Sequence, residues 1–185
     1  MSLVYIMPLG AVDPGILKIM QRAIATAFGL ETTIGRERRD IAYAFDATRN
    51  QYHVSKLLVD LIQHPPPDAL RVVGIAEVDI FLPIFTFLFG EAQLGGIGAI
   101  LSTHRLHSDF YGVPHDPALF AERVAKETVH ELGHTFGLIH CLAPVCVMRS
   151  STYVEDIDQK SVEFCSGCRR KLDTNLPQKK SLFGL

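Results

Sequence analysis

The stretch HELGHTFGLIHC, from His130 to Cys141, carries the strongest structural signal in the sequence. Residues four apart on an α-helix lie on nearly the same face, so His130 and His134 can present their imidazoles to one metal ion. Glu131 lies one residue further round the helix. From that position its carboxylate can take a proton from a zinc-bound water without itself binding the zinc.

The second half of the stretch predicts a third ligand. Gly137 has no Cβ, so it permits the left-handed turn that ends a helix. The chain can then fold back and bring His140 to the same ion as His130 and His134. Three nitrogen ligands leave the fourth tetrahedral position for water, which is the open arrangement of a catalytic zinc.

The composition predicts a single globular domain. The chain has 185 residues, 48% of them hydrophobic, and a formal net charge of -2, which fits one domain with its own core and gives no indication of nucleic acid or membrane as a partner. The first ten residues lack the basic residues and the long apolar run of a secretory signal. The most apolar later run, Ile80 to Phe89, is too short to cross a bilayer. We therefore expect a cytoplasmic protein that begins with a buried strand.

All four cysteines lie in the last quarter of the sequence, which favours a metal site over disulfides in a reducing compartment. Cys165 and Cys168 have the spacing of a metal-binding knuckle, because two thiolates so placed can bind one ion across a tight turn. Cys141 and Cys146 would complete a site of four thiolates, closed to water and therefore structural. Free cysteines or a disulfide are the alternatives.

Helix and strand signals alternate along the chain. The pairs Asp13-Pro14 and Asp116-Pro117 each combine a capping residue with a proline at the first helical position, and they predict the starts of two helices. The first helix should end near Gly29, and the second should carry His130 and His134. A further helix is predicted from Thr48 to about His64. Runs of β-branched and apolar residues predict strands at residues 41–45, 71–77 and 97–101.

Strands interleaved with helices predict a mixed or largely parallel α/β sheet, with the metal-binding helix packed against it. We expect four residues of that helix and its end to face the sheet: Phe120, Val124, Leu132 and Phe136. The aromatic segment from Phe81 to Phe89 could be either a strand or a core-lining loop, and its hydrophobic periodicity does not distinguish the two. Histidines outside the motif are expected to be exposed or half-buried and not to bind metal; they are His53, His64, His104, His107 and His115.

The order of these motifs is similar to that of a known family. HELGHTFGLIH followed by Met148 resembles the metzincin zinc proteases, whose HExxHxxGxxH motif is followed by a Met-turn, a turn that carries a methionine under the metal. The cysteines narrow the resemblance to the archaemetzincins. It implies a metzincin-like α/β fold with a mixed twisted sheet and a long active-site helix. It also implies one domain, in which residues 1–137 form the sheet and helix part and residues 138–185 hold the Met-turn and a zinc-stabilised subdomain.

The resemblance also implies roles for single residues and two zinc ions per chain, one catalytic and one structural. His130, His134 and His140 would hold the catalytic zinc, with Glu131 as general base. The structural zinc would bind the four cysteines, Cys141, Cys146, Cys165 and Cys168. Some metzincins place a tyrosine two residues after the methionine, but Ser150 occupies that position here, so another donor or the zinc alone would stabilise the transition state.

The leading hypothesis is a zinc-dependent peptidase that hydrolyses small or unfolded peptides by a zinc-bound water. The strand at 97–101 precedes the helix, where zinc proteases usually keep an edge strand, so we expect it to pair with extended substrate. A zinc-stabilised peptide- or protein-binding module with little turnover is the first alternative. A nucleic-acid module built on Arg169, Arg170 and Lys171 is the second, although the net charge argues against strong phosphate binding.

Overall fold

The computed structural model describes residues 3–35 and 40–177. The strands are β1 (Leu3–Pro8), β2 (Thr32–Ile34), β3 (Phe45–Asp46), β4 (Gln51–His53), β5 (Ala69–Ala76), β6 (Ile80–Phe81), β7 (Gly90–Ala92) and β8 (Gly98–Ser102). The α-helices are α1 (Pro14–Phe28), α2 (Val54–Gln63), α3 (Pro117–Thr135), α4 (Val154–Gln159) and α5 (Ser166–Asn175). The predicted mixed α/β fold class is confirmed.

The main sheet has five strands in the order β2-β1-β5-β8-β7. The first four of these run parallel, and β7 is antiparallel to β8. A smaller sheet of three short strands has the order β3-β4-β6. The strand predicted at residues 71–77 is the central strand β5, where its β-branched side chains are buried on both faces.

Helices cover both faces of the main sheet. Successive residues of β5 alternate between the two cores, since Val73 and Ile75 pack with α1 and α3 while Val72 and Ala76 pack with α2. The four side chains predicted to face inward from α3 and its end are all buried on the first of these faces. The helix α3 contacts both β7 and β8, so its C-terminal half lies beside the antiparallel edge of the sheet.

The cap signals in the sequence correctly predicted α1 and α3. The carboxylate of Asp13 accepts a hydrogen bond from the backbone N–H of Gly15 at 2.6 Å. Asp116 accepts from the backbone N–H groups of Ala118 and Leu119 at 2.9 and 3.0 Å. Gly29 ends α1 with φ of +66°, a conformation that glycine adopts without steric cost.

Two predicted elements near residue 50 were wrong in their bounds. The helix predicted from Thr48 starts only at Val54, because Asn50 takes φ of +53° in a turn and Tyr52 pairs with Ile80 of β6. The guanidinium of Arg49 fixes this turn by donating to the carbonyl groups of Phe85 and Thr86. The strand predicted at residues 41–45 is instead a short 3-10 helix, Ala42–Ala44, followed by β3.

The strand predicted at residues 97–101 is present, but the expectation that it is an edge strand able to pair with substrate was wrong. Residues 98–102 form β8, which lies inside the sheet with β5 on one side and β7 on the other. Its backbone groups are therefore already paired. The edge strand on this side of the sheet is β7, which begins directly after the aromatic segment from Phe81 to Phe89. The segment itself contains the last residue of β6 and a loop.

The C-terminal residues up to 177 pack onto the same core as α1 and α3. Buried residues of this part include Val147, Met148, Ile157 and Leu172. The guanidinium of Arg123 on α3 binds both carboxylate oxygens of Asp158 at 2.7 Å, which joins α3 to α4. The division of the domain at residue 137 stays a prediction. Across residues 3–35 and 40–177, no helix is long and apolar enough to span a membrane.

Candidate metal centres

Two histidines on α3 direct ring nitrogens at the same point. The Nε2 atoms of His130 and His134 are 3.1 Å apart. The Nδ1 atom of His130 lies 2.8 Å from the carbonyl oxygen of Val147, and that of His134 lies 2.7 Å from the carbonyl oxygen of Leu138. A carbonyl only accepts, so each Nδ1 carries the proton and each Nε2 has a free lone pair. Two nitrogens bound to one tetrahedral zinc lie about 3.3 Å apart, so this pair fits a shared zinc.

The third histidine joins them after a turn at the end of α3. Gly137 has φ of +80°, and its N–H donates to the carbonyl oxygen of His134 at 2.9 Å. This turn brings the His140 ring centroid to 5.4 Å from that of His130 and 5.0 Å from that of His134. Ligand atoms of the three rings lie within 4.8 Å of one another. The structure thus brings together the three ligands predicted from sequence.

Burial keeps these imidazoles in the form that binds metal. Burial holds the pKa of His130 well below its ordinary value and also lowers the pKa of His134 and of His140. The charge of Lys160 contributes to each shift in the same direction. The neutral imidazole is the metal-binding form.

Glu131 is buried beside these rings, and a glycine makes room for its carboxylate. Burial raises the pKa of Glu131 well above its ordinary value, and the nearby Glu127 adds to the shift. A Cβ added at Gly90, the first residue of β7, would lie 2.5 Å from Cδ and 2.6 Å from Oε1 of Glu131. Any side chain at Gly90 would therefore displace the carboxylate. The edge strand and the predicted base fit together only because this residue is glycine.

A buried ion pair lies next to the histidines. The Nζ atom of Lys160 is 2.9 Å from Oε1 of Glu127, and the two side chains are 1% and 3% exposed. Lys160 also donates to the carbonyl oxygen of Arg149 at 3.2 Å. Glu127 lies on α3, one turn before His130, so the pair connects this helix to the segment that follows Met148.

Met148 lies beneath the metal-binding helix. It is fully buried, and a Cβ added at Gly133 would be 2.6 Å from its sulfur. The carbonyl oxygen of the neighbouring Val147 accepts the hydrogen bond from His130. The carbonyl oxygen of Met148 accepts from the backbone N–H of Cys141 at 2.9 Å. The turn therefore supports both the first histidine and the first cysteine. The role of Met148 as a Met-turn residue stays a prediction.

The four cysteines converge in a second cluster. Their sulfur atoms lie within 4.8 Å of one another, and none forms a disulfide. Sγ of Cys141 is 3.8 Å from Sγ of Cys165. Two sulfurs on one tetrahedral zinc lie about 3.8 Å apart, whereas a disulfide would need about 2.05 Å. The predicted disulfide alternative is therefore wrong for this structure.

Backbone contacts of the cluster favour thiolates. The backbone N–H of Cys168 lowers the pKa of Cys165 to about 7. The N–H of Ala143 donates to Sγ of Cys141 at 3.4 Å, and the N–H of Cys165 donates to Sγ of Cys146 at 3.3 Å. Burial instead raises the pKa of Cys146 and of Cys168, so these two thiolates would need a bound cation to stabilise them. Thiolate is the form that binds zinc.

A cleft of about 330 Å³ opens beside His130, Glu131 and His140. Aromatic and aliphatic residues before β7 form one wall, and the residues after the Met-turn form another. Ser150 lines this second wall. Tyr153 is an exposed residue at the start of α4 and is not among the described residues that line the cleft.

Arg169, one of the three basic residues near the cysteine knuckle, makes contacts within the protein, whereas Arg170 and Lys171 are exposed. The guanidinium of Arg169 forms an ion pair with Asp173 and donates to the carbonyl oxygen of Ala27 at 2.6 Å. These contacts engage its hydrogen-bonding groups inside the protein, which argues against a phosphate-binding role for Arg169.

Three residues of the site were not found from the sequence. Gly90, Glu127 and Lys160 all contribute to the surroundings of Glu131, but they lie in separate segments of the chain. Glu127 could have been noticed, because it is one helical turn from both His130 and Glu131. Gly90 and Lys160 have no local signal, since their importance depends on the tertiary fold.

Sequence comparison places the chain in a family of peptidases. The family model described as peptidase family M54 matches residues 28–174. The chain is 38% identical to the archaemetzincin of Pyrococcus furiosus over 181 residues, covering 95% of this chain and 94% of the relative. It is 36% identical to the archaemetzincin of Methanocaldococcus jannaschii, covering 90% of each chain.

Solved structures give the same result. The archaemetzincin of Archaeoglobus fulgidus, crystallised with malonate, superposes with a TM-score of 0.79 at 36% identity, covering 91% of this chain and 99% of that one. The archaemetzincin of Methanopyrus kandleri superposes with a TM-score of 0.83 at 32% identity, covering 95% of each chain. The chain therefore belongs to peptidase family M54, together with the archaemetzincins, and is a zinc metallopeptidase.

Proposed function

We propose that this metallopeptidase hydrolyses peptide bonds with Glu131 as its general base and with one zinc held by His130, His134 and His140. The observation that carries the proposal is the 3.1 Å separation of the two Nε2 atoms on α3, each with its Nδ1 fixed by a carbonyl group. Fixed Nδ1–H groups orient metal-binding histidines and set their tautomer. The buried carboxylate of Glu131 lies beside them in the same cleft.

When bound, zinc lowers the pKa of a coordinated water towards about 7 and polarises the carbonyl group of the substrate. Glu131 supplies the proton transfers of the reaction. Its carboxylate accepts a proton during attack on the peptide carbonyl and returns it to the leaving amine. Gly90 leaves the space that this carboxylate needs.

A second zinc on Cys141, Cys146, Cys165 and Cys168 is proposed to be structural. All four ligand positions would be filled by sulfur, which leaves none for water. Because Cys141 directly follows His140, this closed site would fix the backbone next to the third catalytic ligand. The chain would then hold two zinc ions.

The substrate is proposed to bind as an extended peptide or unfolded segment along β7. This strand is the antiparallel edge of the main sheet, and its residues Gly90 to Ala92 line a second cleft, next to the first, together with His130 and His134. Unpaired backbone groups at a sheet edge can bind an added strand. Apolar side chains beside the two clefts, including Phe85, Leu94 and Ile139, favour apolar residues in the substrate. A cytoplasmic location stays a prediction.

The test is digestion of a peptide library by the wild-type protein and by Glu131→Gln. Wild type should cleave, a chelator should abolish cleavage, and the variant should lose about 100-fold or more of its kcat/KM while keeping the same zinc content. Glu122→Gln is a matched control, because Glu122 is on the same helix with its side chain 66% exposed; it should cleave normally.

Cleavage retained by Glu131→Gln, or zinc lost from that variant, would contradict the role of this residue. If wild type bound peptides in the cleft but cleaved none, the alternative of a zinc-stabilised binding module would replace the proposal.

A further inference from the structure

Three side chains meet outside the two sites described above, near the start of α3. They are His107, Asp109 and His115, and their possible ligand atoms lie within 4.8 Å of one another. Nδ1 of His107 is 3.8 Å from Oδ1 of Asp109. The rings of His107 and His115 stack with centroids 6.0 Å apart. The sequence predicted that neither histidine binds metal, because histidines outside the main motif are usually exposed or half-buried.

One member of the cluster is anchored, and the other two can adjust. The ring of His107 stacks on Phe120 of α3 with centroids 4.1 Å apart and planes 22° from parallel. Asp109 starts the short 3-10 helix Asp109–Tyr111, and its side chain is 67% exposed. His115 is also exposed, directly before the capping residue of α3. The side chains of Asp109 and His115 can therefore rotate to reach a bound ion.

The surroundings are also favourable for a cation. Burial lowers the pKa of His107, and the charges of Asp109 and Glu77 oppose this shift. The carboxylates of Asp109 and Glu77 are thus close enough to His107 to stabilise positive charge there. Phe120 precedes His130 by ten residues, which is about 15 Å along a helix, so the cluster is separate from the proposed catalytic zinc.

We propose that His107, Asp109 and His115 form a third metal site, which takes a divalent transition-metal ion such as nickel, cobalt or zinc. Two imidazoles and one carboxylate suit these ions better than magnesium or calcium, which prefer oxygen ligands alone. Nitrogen and oxygen ligands on one tetrahedral ion lie about 3.3 Å apart. The 3.8 Å contact between His107 and Asp109 is already near this value.

The site differs from the other two in its exposure. Two of its three ligands face solvent, so the ion is expected to exchange readily and to keep water in its remaining positions. Binding would connect residues 107 and 115 across the loop before α3. An ion that binds only the folded chain stabilises it by mass action, so this site would make the melting temperature depend on free metal.

The experiment is a calorimetric titration of the purified protein, carrying its resident metal, with nickel chloride. Wild type should bind one nickel ion per chain without releasing zinc, and its melting temperature should rise with nickel. Asp109→Asn and His115→Ala should each weaken nickel binding about tenfold or more, since even the loss of a supporting partner costs about 10–100-fold. His107→Phe keeps a ring to stack on Phe120 while removing both nitrogens, and it should also lose nickel binding.

His64→Ala is the matched control, because His64 is an exposed histidine outside the cluster; it should bind nickel as wild type does. The proposal is overturned if wild type takes up no nickel, or if uptake releases an equal amount of zinc. It is also overturned if His115→Ala and His107→Phe both bind nickel with unchanged affinity. None of these outcomes depends on peptidase activity.

Discussion

Replacing Lys160 by methionine should destabilise the protein strongly, because it leaves a carboxylate buried without its partner. Lys160 and Glu127 are 1% and 3% exposed, and their charged atoms are 2.9 Å apart. Breaking a buried pair by removing one partner costs about 3–5 kcal/mol, whereas replacing both partners by uncharged groups is often close to neutral. Lys160→Met is therefore expected to cost about 3–5 kcal/mol, and the double variant Glu127→Gln, Lys160→Met is expected to recover much of that loss.

The assay is urea unfolding at a fixed concentration of free zinc, because bound metal adds to the apparent stability. A loss of about 3 kcal/mol lowers the urea midpoint by at least about 1 M at slopes of about 1–3 kcal/mol per molar. Asp173→Asn is the control. It breaks an exposed i,i+4 pair with Arg169, with both side chains more than a third exposed, and should leave the urea midpoint close to that of wild type.

A loss below about 1 kcal/mol for Lys160→Met would refute this reasoning. It would mean that the carboxylate of Glu127 reaches water or another partner at little cost. A double variant as unstable as the sum of the two single variants would also refute it, since the two side chains would then not be coupled.

Three further predictions follow from contacts around the two metal clusters. Gly90→Ala should reduce kcat/KM by about tenfold or more and cost about 1–3 kcal/mol of stability, because the new Cβ would lie 2.5 Å from Cδ of Glu131; unchanged kinetics would show that the carboxylate can move without loss. Met148→Ala should lower the free energy of unfolding by about 2–5 kcal/mol in urea, since the side chain is fully buried beneath Gly133; a cost under about 1 kcal/mol would mean that the site collapses around the gap. Cys146→Ser should lose one zinc by elemental analysis and lower the melting temperature, and retention of the full zinc content would remove Cys146 from the ligand set.

The sequence predicted those parts of the fold that have local causes. Asp116 and Pro117 start α3, and Gly137 ends the turn after it, because capping and left-handed turns depend on a few adjacent residues. The spacing of His130, His134 and His140 is local in the same sense. These features were enough to predict how the histidines converge.

The predictions from sequence were wrong where contacts between segments far apart in the chain determine the structure. Tyr52 continues the helical spacing of the leucines at 57, 58 and 61, so the predicted helix began too early. In the structure β6 pairs with Tyr52, and the carbonyl groups of Phe85 and Thr86 accept hydrogen bonds from Arg49. Residues 97–101 could not be distinguished from an edge strand, because strand order in a sheet is a tertiary property. The closeness of Gly90 to Glu131, and of His107 to His115, depends on packing in the same way.

The most direct test of the central claim is the zinc content of the protein purified without added metal and dialysed to remove the exchangeable ion of the proposed third site, measured for wild type and for His134→Ala. The account predicts two zinc ions per chain in wild type, one on the three histidines and one on the four cysteines. His134→Ala should keep one, because the four cysteines do not depend on that side chain. One zinc in wild type, or two in His134→Ala, would contradict the assignment of an open catalytic site beside a closed structural one.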